Sequence, residues 1–104
     1  MKSLAGKDTM PVFQAKDLTG DRIELEADAV VVGSGAAGAV VAYELAVTGK
    51  SVIILEAGPY VPSTQFNEKM LDMFQRMYVD GAGQTNAAGD ITILQGRCVG
   101  GSTV

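Results

Sequence analysis

The sequence is constrained most strongly by a glycine-rich turn that separates an apolar run from a helix-forming run. Residues 33–38 read Gly-Ser-Gly-Ala-Ala-Gly and satisfy the pattern G-x-G-x-x-G. The preceding run, 28–32, is rich in valine, which is typical of a parallel strand buried on both faces. From about 36 to 48 the chain is rich in Ala, Val and Leu, and Gly49 stands where a helix C′ residue is expected. A second apolar run at 51–56 completes the pattern of a strand–helix–strand (βαβ) unit.

Each glycine of this turn has a physical role in binding a dinucleotide. Gly33 allows the tight turn, Gly35 lets a pyrophosphate approach the backbone, and Gly38 lets the helix pack closely on the sheet. The helix N-terminus adds free N–H groups and a partial positive charge, which suit an anion. Glu56 follows Gly38 by 18 residues, near the spacing of about 20 at which a carboxylate accepts hydrogen bonds from ribose hydroxyls. Its charge would repel a 2′-phosphate, so NADP is disfavoured. The alternative is an ordinary glycine-rich turn beside a solvated glutamate.

Composition excludes several other classes of protein. The chain has 104 residues, enough for about one domain, and is 47% hydrophobic, too apolar for a disordered chain. Lys and Arg number 8 against 12 Asp and Glu, so the net charge of −4 argues against nucleic-acid binding. No apolar run approaches the roughly 20 residues of a bilayer span. Lys2 is followed by no apolar h-region, so we expect no secretory signal and a cytoplasmic location.

The chain divides into five segments by its patterning. Residues 1–11 are a polar tail, 12–27 are expected to form a β-hairpin across a turn at 19–21, and 28–58 form the βαβ unit. Residues 59–95 are expected to contain an amphipathic helix, ended by glycine, and a loop. The fifth segment is 96–104. The apolar stripe of that helix is Phe66, Met70, Met73, Phe74 and Met77. Such a stripe is more often packing than the lining of a substrate channel.

The segment 96–104 is a second glycine-rich motif, Gly-Arg-Cys-Val-Gly-Gly-Ser-Thr-Val. Gly100 and Gly101, followed by two hydroxyl residues, can form a loop that offers N–H and O–H donors to a phosphate or a ring edge. An ordinary flexible loop is an equal alternative from composition alone. Arg97 could pair with a phosphate or hold the loop to a nearby carboxylate. Cys98 could be a reactive thiol, although a small residue at a variable position is the simpler interpretation.

These motifs together resemble the N-terminal FAD-binding part of the glucose–methanol–choline (GMC) oxidoreductases. That family joins a G-x-G-x-x-G turn to a strand ending in Glu-Ala-Gly, and later carries a signature G-R-x-[apolar]-G-G-S-[S/T]-x-x-N. This chain has the first at 33–38, the second at 56–58, and the third at 96–104 without its final Asn. The resemblance implies an α/β fold, here an incomplete Rossmann-like FAD-binding βαβ unit with a leading β-hairpin and one further amphipathic helix.

The resemblance also implies FAD as cofactor and hydride transfer from the CH–OH group of an alcohol to the flavin N5. The family's catalytic base is a His in the C-terminal part. No catalytic residue is therefore assigned in this chain, which has no His. The alcohol would bind through that further part, so we expect this segment alone to be inactive. The expected cofactor-binding residues are Gly33, Ser34, Gly35, Ala36, Ala37, Gly38, Glu56, Ala57, Gly58, Arg97, Gly100, Gly101, Ser102 and Thr103.

Two other hypotheses remain from the sequence. One is a stand-alone NAD- or ADP-binding Rossmann module without catalysis, which would have no use for the motif at 96–104. The other is a truncated product without function, which would bind no dinucleotide.

Overall fold

A parallel strand pair with one crossover helix forms the centre of the fold. The computed structural model describes residues 12–18, 20 and 22–104. Strand β1 (Ala29–Val32) leads into helix α1 (Ala36–Val47), which leads into strand β2 (Val52–Leu55). The strands pair in parallel, in a register that runs from Ala29 opposite Val52 to Val32 opposite Leu55. The predicted α/β fold with a βαβ unit is confirmed. Because the strands are parallel, the turn after β1 and the residue after β2 meet at one edge of the sheet.

The end of α1 and the amino ends of the two strands are fixed by a glycine turn and by hydrogen bonds between the two segments. Gly49 follows α1 with a φ of +86°, the left-handed conformation expected of a C′ glycine. At the amino ends of the strands, Ser51 and Asp28 bond to each other. The Ser51 N–H and O–H donate to Asp28 Oδ2 over 2.8 and 2.9 Å, and the Asp28 N–H donates to Ser51 Oγ over 2.9 Å. These bonds from Ser51 hold the pKa of Asp28 below its ordinary value.

The expectation that β1 is buried on both faces is wrong for this chain. Val30 and Val32 are 56% and 83% exposed, whereas Ala29 and Val31, which alternate with them, are half-buried. Helix α1 packs against both strands and so covers one face of the pair. The valine-rich run is suited to burial on both sides, but in the described residues the second face is left open.

Helix α2 (Met70–Met77) carries the predicted apolar stripe but is shorter than the stripe. Phe66 lies before it, after a 3₁₀ turn at Ser63–Gln65. Met77 is buried, and the rings of Phe74 and Tyr78 are tilted at 59° with centroids 5.0 Å apart. The helix ends at Met77, ahead of the glycines that were expected to end it, because Tyr78 is already extended.

The second half of the chain continues through turns and one short hairpin. The turn Val79–Ala82 contains residues with positive φ, including Asp80 at +51° and Ala82 at +65°. Strands β3 (Gln84–Thr85) and β4 (Thr92–Ile93) then pair antiparallel. This hairpin was not predicted from the sequence. A last 3₁₀ turn spans Gly101–Thr103.

The predicted leading hairpin at 12–27 is not formed in the residues described. A 3₁₀ turn at Ala15–Asp17 stands where a strand was expected, and 22–27 carry no strand. Alternating polarity at 22–26 fits a strand only if a partner supplies the hydrogen bonds, and none pairs with it here. The predicted tail at 1–11, together with Thr19 and Asp21 of the predicted turn, lies outside the described residues. Within the described parts, no helix is long and apolar enough to cross a membrane.

Candidate cofactor-binding site

The turn after β1 requires glycine at two positions for different reasons. Gly33 has a φ of +92°, which L-residues with a Cβ rarely adopt. Gly38, in the first turn of α1, lies so close to β1 that an added Cβ would overlap the carbonyl oxygen of Gly33. The Gly33 N–H also donates to the Leu55 carbonyl over 2.7 Å, which extends the pairing of the strands into the turn. The helix therefore begins directly against the carboxyl end of the sheet.

The N-terminus of α1 offers an open anion site. The first i→i−4 bond of the helix runs from the Ala39 N–H to the Gly35 carbonyl, at 2.9 Å. The N–H groups of Ala36, Ala37 and Gly38 therefore have no acceptor within the helix. A Cβ placed on Gly35 would meet nothing within 4 Å, so the space above this backbone is open. Free N–H groups, the helix dipole and open space are what a phosphate needs.

Glu56 stands beside this turn at the end of β2. Its Oε2 accepts hydrogen bonds from the Ser34 N–H at 2.9 Å and from the Ser34 O–H at 2.7 Å. Its Oε1 accepts from the Gly58 N–H at 2.8 Å. Partial burial raises the pKa of Glu56, but the hydrogen bonds from Ser34, Gly58 and Ala57 together outweigh it, so the pKa lies below its ordinary value. The carboxylate is ionised at neutral pH and is fixed at the edge of the sheet.

The second glycine-rich motif packs directly onto the first. The Gly100 N–H donates to Ser34 Oγ over 3.0 Å. A Cβ on Gly101 would lie 2.9 Å from the Gly35 Cα, so the two backbones are in close contact. Gly100 and Gly101 have φ values of +100° and +64°. Two segments 66 residues apart in sequence thus form one edge.

The Glu-Ala-Gly turn supports this loop from behind. A Cβ on Gly58 would overlap the Arg97 carbonyl, so only glycine allows this approach. The Val99 N–H donates to the Pro59 carbonyl over 3.0 Å, and the Arg97 N–H donates to the Met77 carbonyl over 2.6 Å. The loop at 96–104 is thus held by its backbone to the segment after β2 and to the end of α2.

Within the loop, hydroxyl and thiol groups make local bonds. Ser102 Oγ accepts from the Gly96 N–H over 2.8 Å, and Thr103 Oγ1 donates to the Gly100 carbonyl over 2.8 Å. Cys98 is 1% exposed, and its thiol faces the Gly101 carbonyl at 3.5 Å. Burial raises the pKa of Cys98, and so does the negative charge of Glu56. This thiol is a packing group and lacks the exposure of a reactive one.

The structure thus gathers most of the expected site residues and separates a few. Gly58 packs against the Arg97 backbone, Arg97 itself is exposed, and the Ala57 N–H bonds to Glu56. The hydroxyls of Ser102 and Thr103 are used inside the loop. Sequence reasoning missed the supporting carbonyl of Pro59 and the bridging position of the Ser34 hydroxyl. The contact of Ser34 with Glu56 could have been inferred from the sequence. Its hydroxyl follows β1 at the same end of the sheet at which the Glu56 carboxylate follows β2. The residues gathered at the edge are Gly33, Ser34, Gly35, Ala36, Ala37, Gly38, Glu56, Gly100 and Gly101.

A comparison with known families matches the part of the chain that contains the turn and Glu56. The family described as FAD dependent oxidoreductase matches residues 28–83, which include the turn at 33–38 and Glu56. This chain belongs to the FAD-dependent oxidoreductases. The cofactor predicted from the sequence, FAD, is therefore confirmed. The match ends before 96–104, so the packing of that loop on the turn is an independent observation.

Individual relatives support the same assignment. The chain is 46% identical over 83 residues to an uncharacterized GMC-type oxidoreductase of Sinorhizobium fredii, which covers 78% of this chain and 16% of the relative. It is 46% identical over 81 residues to an uncharacterized GMC-type oxidoreductase of Mycobacterium tuberculosis, covering 75% of this chain and 13% of the relative. A long-chain-alcohol oxidase of Arabidopsis thaliana is 37% identical over 93 residues, which is 88% of this chain and 12% of that protein. The resemblance to the N-terminal part of GMC oxidoreductases is confirmed, and the chain spans less than a fifth of each of these relatives.

The residues present fit the adenosine and pyrophosphate portion of FAD. The open space above Gly35 and the N–H groups at the start of α1 suit a pyrophosphate. The ionised Glu56 carboxylate, held at the end of β2, can accept hydrogen bonds from ribose hydroxyls.

Proposed function

We propose that this chain is the FAD-binding part of an oxidoreductase that acts on the CH–OH group of an alcohol. The observation that carries the proposal is the contact of Gly100 and Gly101 with the turn at 33–38, beside Glu56. A module that binds only NAD or ADP needs the turn and the carboxylate, but has no use for a second glycine-rich loop packed on them. The relatives named long-chain-alcohol oxidases support an alcohol as substrate.

The chain's own residues bind and orient the cofactor in this proposal. The α1 N-terminus holds the pyrophosphate, and Glu56 accepts from the ribose while its charge disfavours a 2′-phosphate. The loop at 96–104, which packs on that turn, would receive the flavin half of the cofactor. When bound, FAD supplies the redox chemistry by accepting a hydride from the alcohol carbon at its N5 atom. The base that takes the hydroxyl proton would belong to a part outside these 104 residues, so the segment alone is expected to be inactive. As a separate expectation, we propose a cytoplasmic location for the protein.

The test is a pair of titrations on the intact protein that carries this chain. Equilibrium binding is measured for FAD, NAD and ADP, and we expect FAD to bind more tightly than either of the others. Bound flavin is then exposed, without oxygen, to a series of primary alcohols of increasing chain length, and we expect its visible absorbance to bleach. Equal binding of NAD and FAD would favour the nucleotide-module alternative. Binding of FAD with no bleaching by any alcohol would remove the alcohol substrate and leave the cofactor assignment intact.

A further inference from the structure

The side chain of Ser34 connects the two loops of the site. Ser34 is 7% exposed, and both of its hydrogen-bond donors are directed to the same atom, Glu56 Oε2. Its Oγ also accepts the Gly100 N–H at 3.0 Å. A single hydroxyl therefore touches the carboxylate after β2 and the backbone of the loop at 96–104.

The direction of these bonds is fixed by the chemistry of their partners. A backbone N–H can only donate, so the Ser34 oxygen must accept from Gly100. An ionised carboxylate can only accept, so the single Ser34 proton must point to Glu56. The three groups form one ordered chain from the Gly100 N–H through the Ser34 hydroxyl to the Glu56 carboxylate.

We propose that Ser34 is a positioning residue that couples the ribose-binding carboxylate Glu56 to the flavin-side loop at Gly100. The inference rests on the proposed function, because it takes the FAD site as given. Ser34 has no donor left for a phosphate in this arrangement. The sequence placed it among the groups that contact FAD, whereas here it acts through Glu56 and Gly100. When the adenosine half of FAD fixes the Glu56 carboxylate, the bonds through Ser34 hold Gly100 in place. The loop at 96–104 is then ordered to receive the flavin half.

The coupling has a consequence that a purely local role lacks. ADP reaches only the turn and Glu56, whereas FAD reaches both loops. Loss of the Ser34 hydroxyl leaves Glu56 with the Ser34 and Gly58 N–H groups as donors, but leaves the Gly100 N–H without its acceptor. We therefore expect Ser34→Ala to weaken FAD binding about tenfold, a typical coupling between sites. ADP binding should weaken by less than about threefold, since the hydrogen bonds from the Ser34 and Gly58 N–H groups to the carboxylate remain.

The chain supplies a matched control at the other end of the same strands. The Ser51 hydroxyl also donates to a carboxylate, that of Asp28, and also joins the segments of β1 and β2. Ser51→Ala removes the same kind of bond without touching the site. We expect it to leave the ratio of FAD to ADP affinity unchanged, and we expect Ser34→Thr, which keeps a hydroxyl, to restore much of that ratio.

The experiment measures dissociation constants of FAD and ADP for the intact protein and these three variants, with hydrogen exchange of the wild-type protein as a second readout. We expect ADP to slow exchange of the Gly100 amide in the wild type, although ADP does not reach that loop. An unchanged exchange rate overturns the coupling without reference to any variant. Equal weakening of ADP and FAD in Ser34→Ala, or the same ratio change in Ser51→Ala, also overturns it. Failure of the wild type to bind FAD overturns the proposed function instead.

Discussion

Gly35 and Gly38 lie in one turn but are glycine for opposite reasons. Gly38 is closed in by the Gly33 carbonyl, so a side chain there has no space. Gly35 faces open space and has a φ of −65° and a ψ of −175°, which alanine adopts readily. The protein fold requires Gly38, and the proposed ligand requires Gly35.

Alanine at these two positions should therefore separate folding from binding. We expect Gly38→Ala to destabilise the protein, because the helix must move away from β1, by about 1–3 kcal/mol as for other overpacked sites. Gly35→Ala should leave the unfolding free energy nearly unchanged but weaken FAD binding by about tenfold or more, or roughly 1.4 kcal/mol. Thermal unfolding without cofactor and FAD titration are measured for both. A Gly35→Ala variant that binds FAD normally would contradict the placement of the pyrophosphate.

The Glu56 carboxylate gives a pH dependence with a defined sign. Its pKa in the folded protein is lowered, so its hydrogen bonds stabilise the fold above about pH 4.3, the ordinary value for glutamate, and are lost as the pH falls through the folded value. Asp28 and Asp72 also have lowered pKa values and contribute in the same acidic range. The informative quantity is thus the stability difference between wild type and Glu56→Gln. It should shrink on acidification below that value, and a difference independent of pH would contradict the hydrogen-bond geometry.

The Cys98 thiol should be inert in the folded protein. It is 1% exposed, and burial raises its pKa, so little thiolate forms and reagents do not reach it. Alkylation followed by peptide mapping should leave Cys98 unmodified in native buffer and modify it fully in denaturant. Rapid labelling under native conditions would show that the loop at 96–104 opens away from the turn.

Among the helices and strands, the sequence predicted those that are stabilised by contacts between segments close together in the chain. The βαβ unit followed from the valine-rich run, the glycine turn and the C′ position of Gly49. The prediction of a hairpin at 12–27 was wrong, because alternating polarity at 22–26 does not by itself supply a partner strand. The short β3–β4 hairpin was not predicted, because its strands have two residues each, too few to show an alternation of polar and apolar residues. Its turn is fixed instead by Asn86, whose side chain bonds Asp90 and the Ile91 N–H.

Helix α2 offers a direct test of whether its methionines are packing groups. Met77 is 8% exposed, whereas Met70, at the other end of the same helix, is 64% exposed. We expect Met77→Ala to lower the unfolding free energy by about 2–5 kcal/mol, as for other buried methionines. Met70→Ala should change it by less than about 0.5 kcal/mol. Chemical denaturation of both variants decides the matter, and equal effects would contradict the packing of α2 seen here.

At the scale of the whole molecule, the described residues bury very little. Among their hydrophobic side chains only Ala42, Met77 and Cys98 are buried, while Val32 of β1 and Tyr43 of α1 are 83% and 66% exposed. Helix α1 is apolar on nearly all sides, which is typical of a helix covered by further structure. These 104 residues alone should therefore be marginally stable.

The segment's apolar surface predicts its behaviour in isolation. When the 104 residues are expressed alone, we expect strong binding of a hydrophobic dye and concentration-dependent association, because β2 and the open face of β1 remain available for pairing and contact. The intact protein that carries the segment should show neither. Light scattering and dye fluorescence of the two proteins measure this, and a monomeric segment that binds no dye would contradict it.

The candidate site was predictable to the extent that it depends on spacing along the chain. The turn at 33–38 and Glu56 are linked by a strand and a helix of ordinary length, so their proximity follows from the βαβ unit. The contact between Gly100 and Ser34 joins segments 66 residues apart, and the chain between them includes irregular turns and a hairpin whose strands are too short to show a period. Only resemblance to a family indicated that the two loops belong together. That the Ser34 hydroxyl links the two loops is visible only in the folded structure.

We propose above that FAD binds at the edge formed by the turn at 33–38, Glu56 and the loop at 96–104. A crystal structure of the intact protein with FAD bound tests it most directly. We expect the pyrophosphate at the N–H groups of Ala36, Ala37 and Gly38, with the adenosine ribose hydroxyls within hydrogen-bond distance of the Glu56 carboxylate. FAD bound elsewhere, or a ribose turned away from Glu56 with the loop at 96–104 displaced, would contradict it.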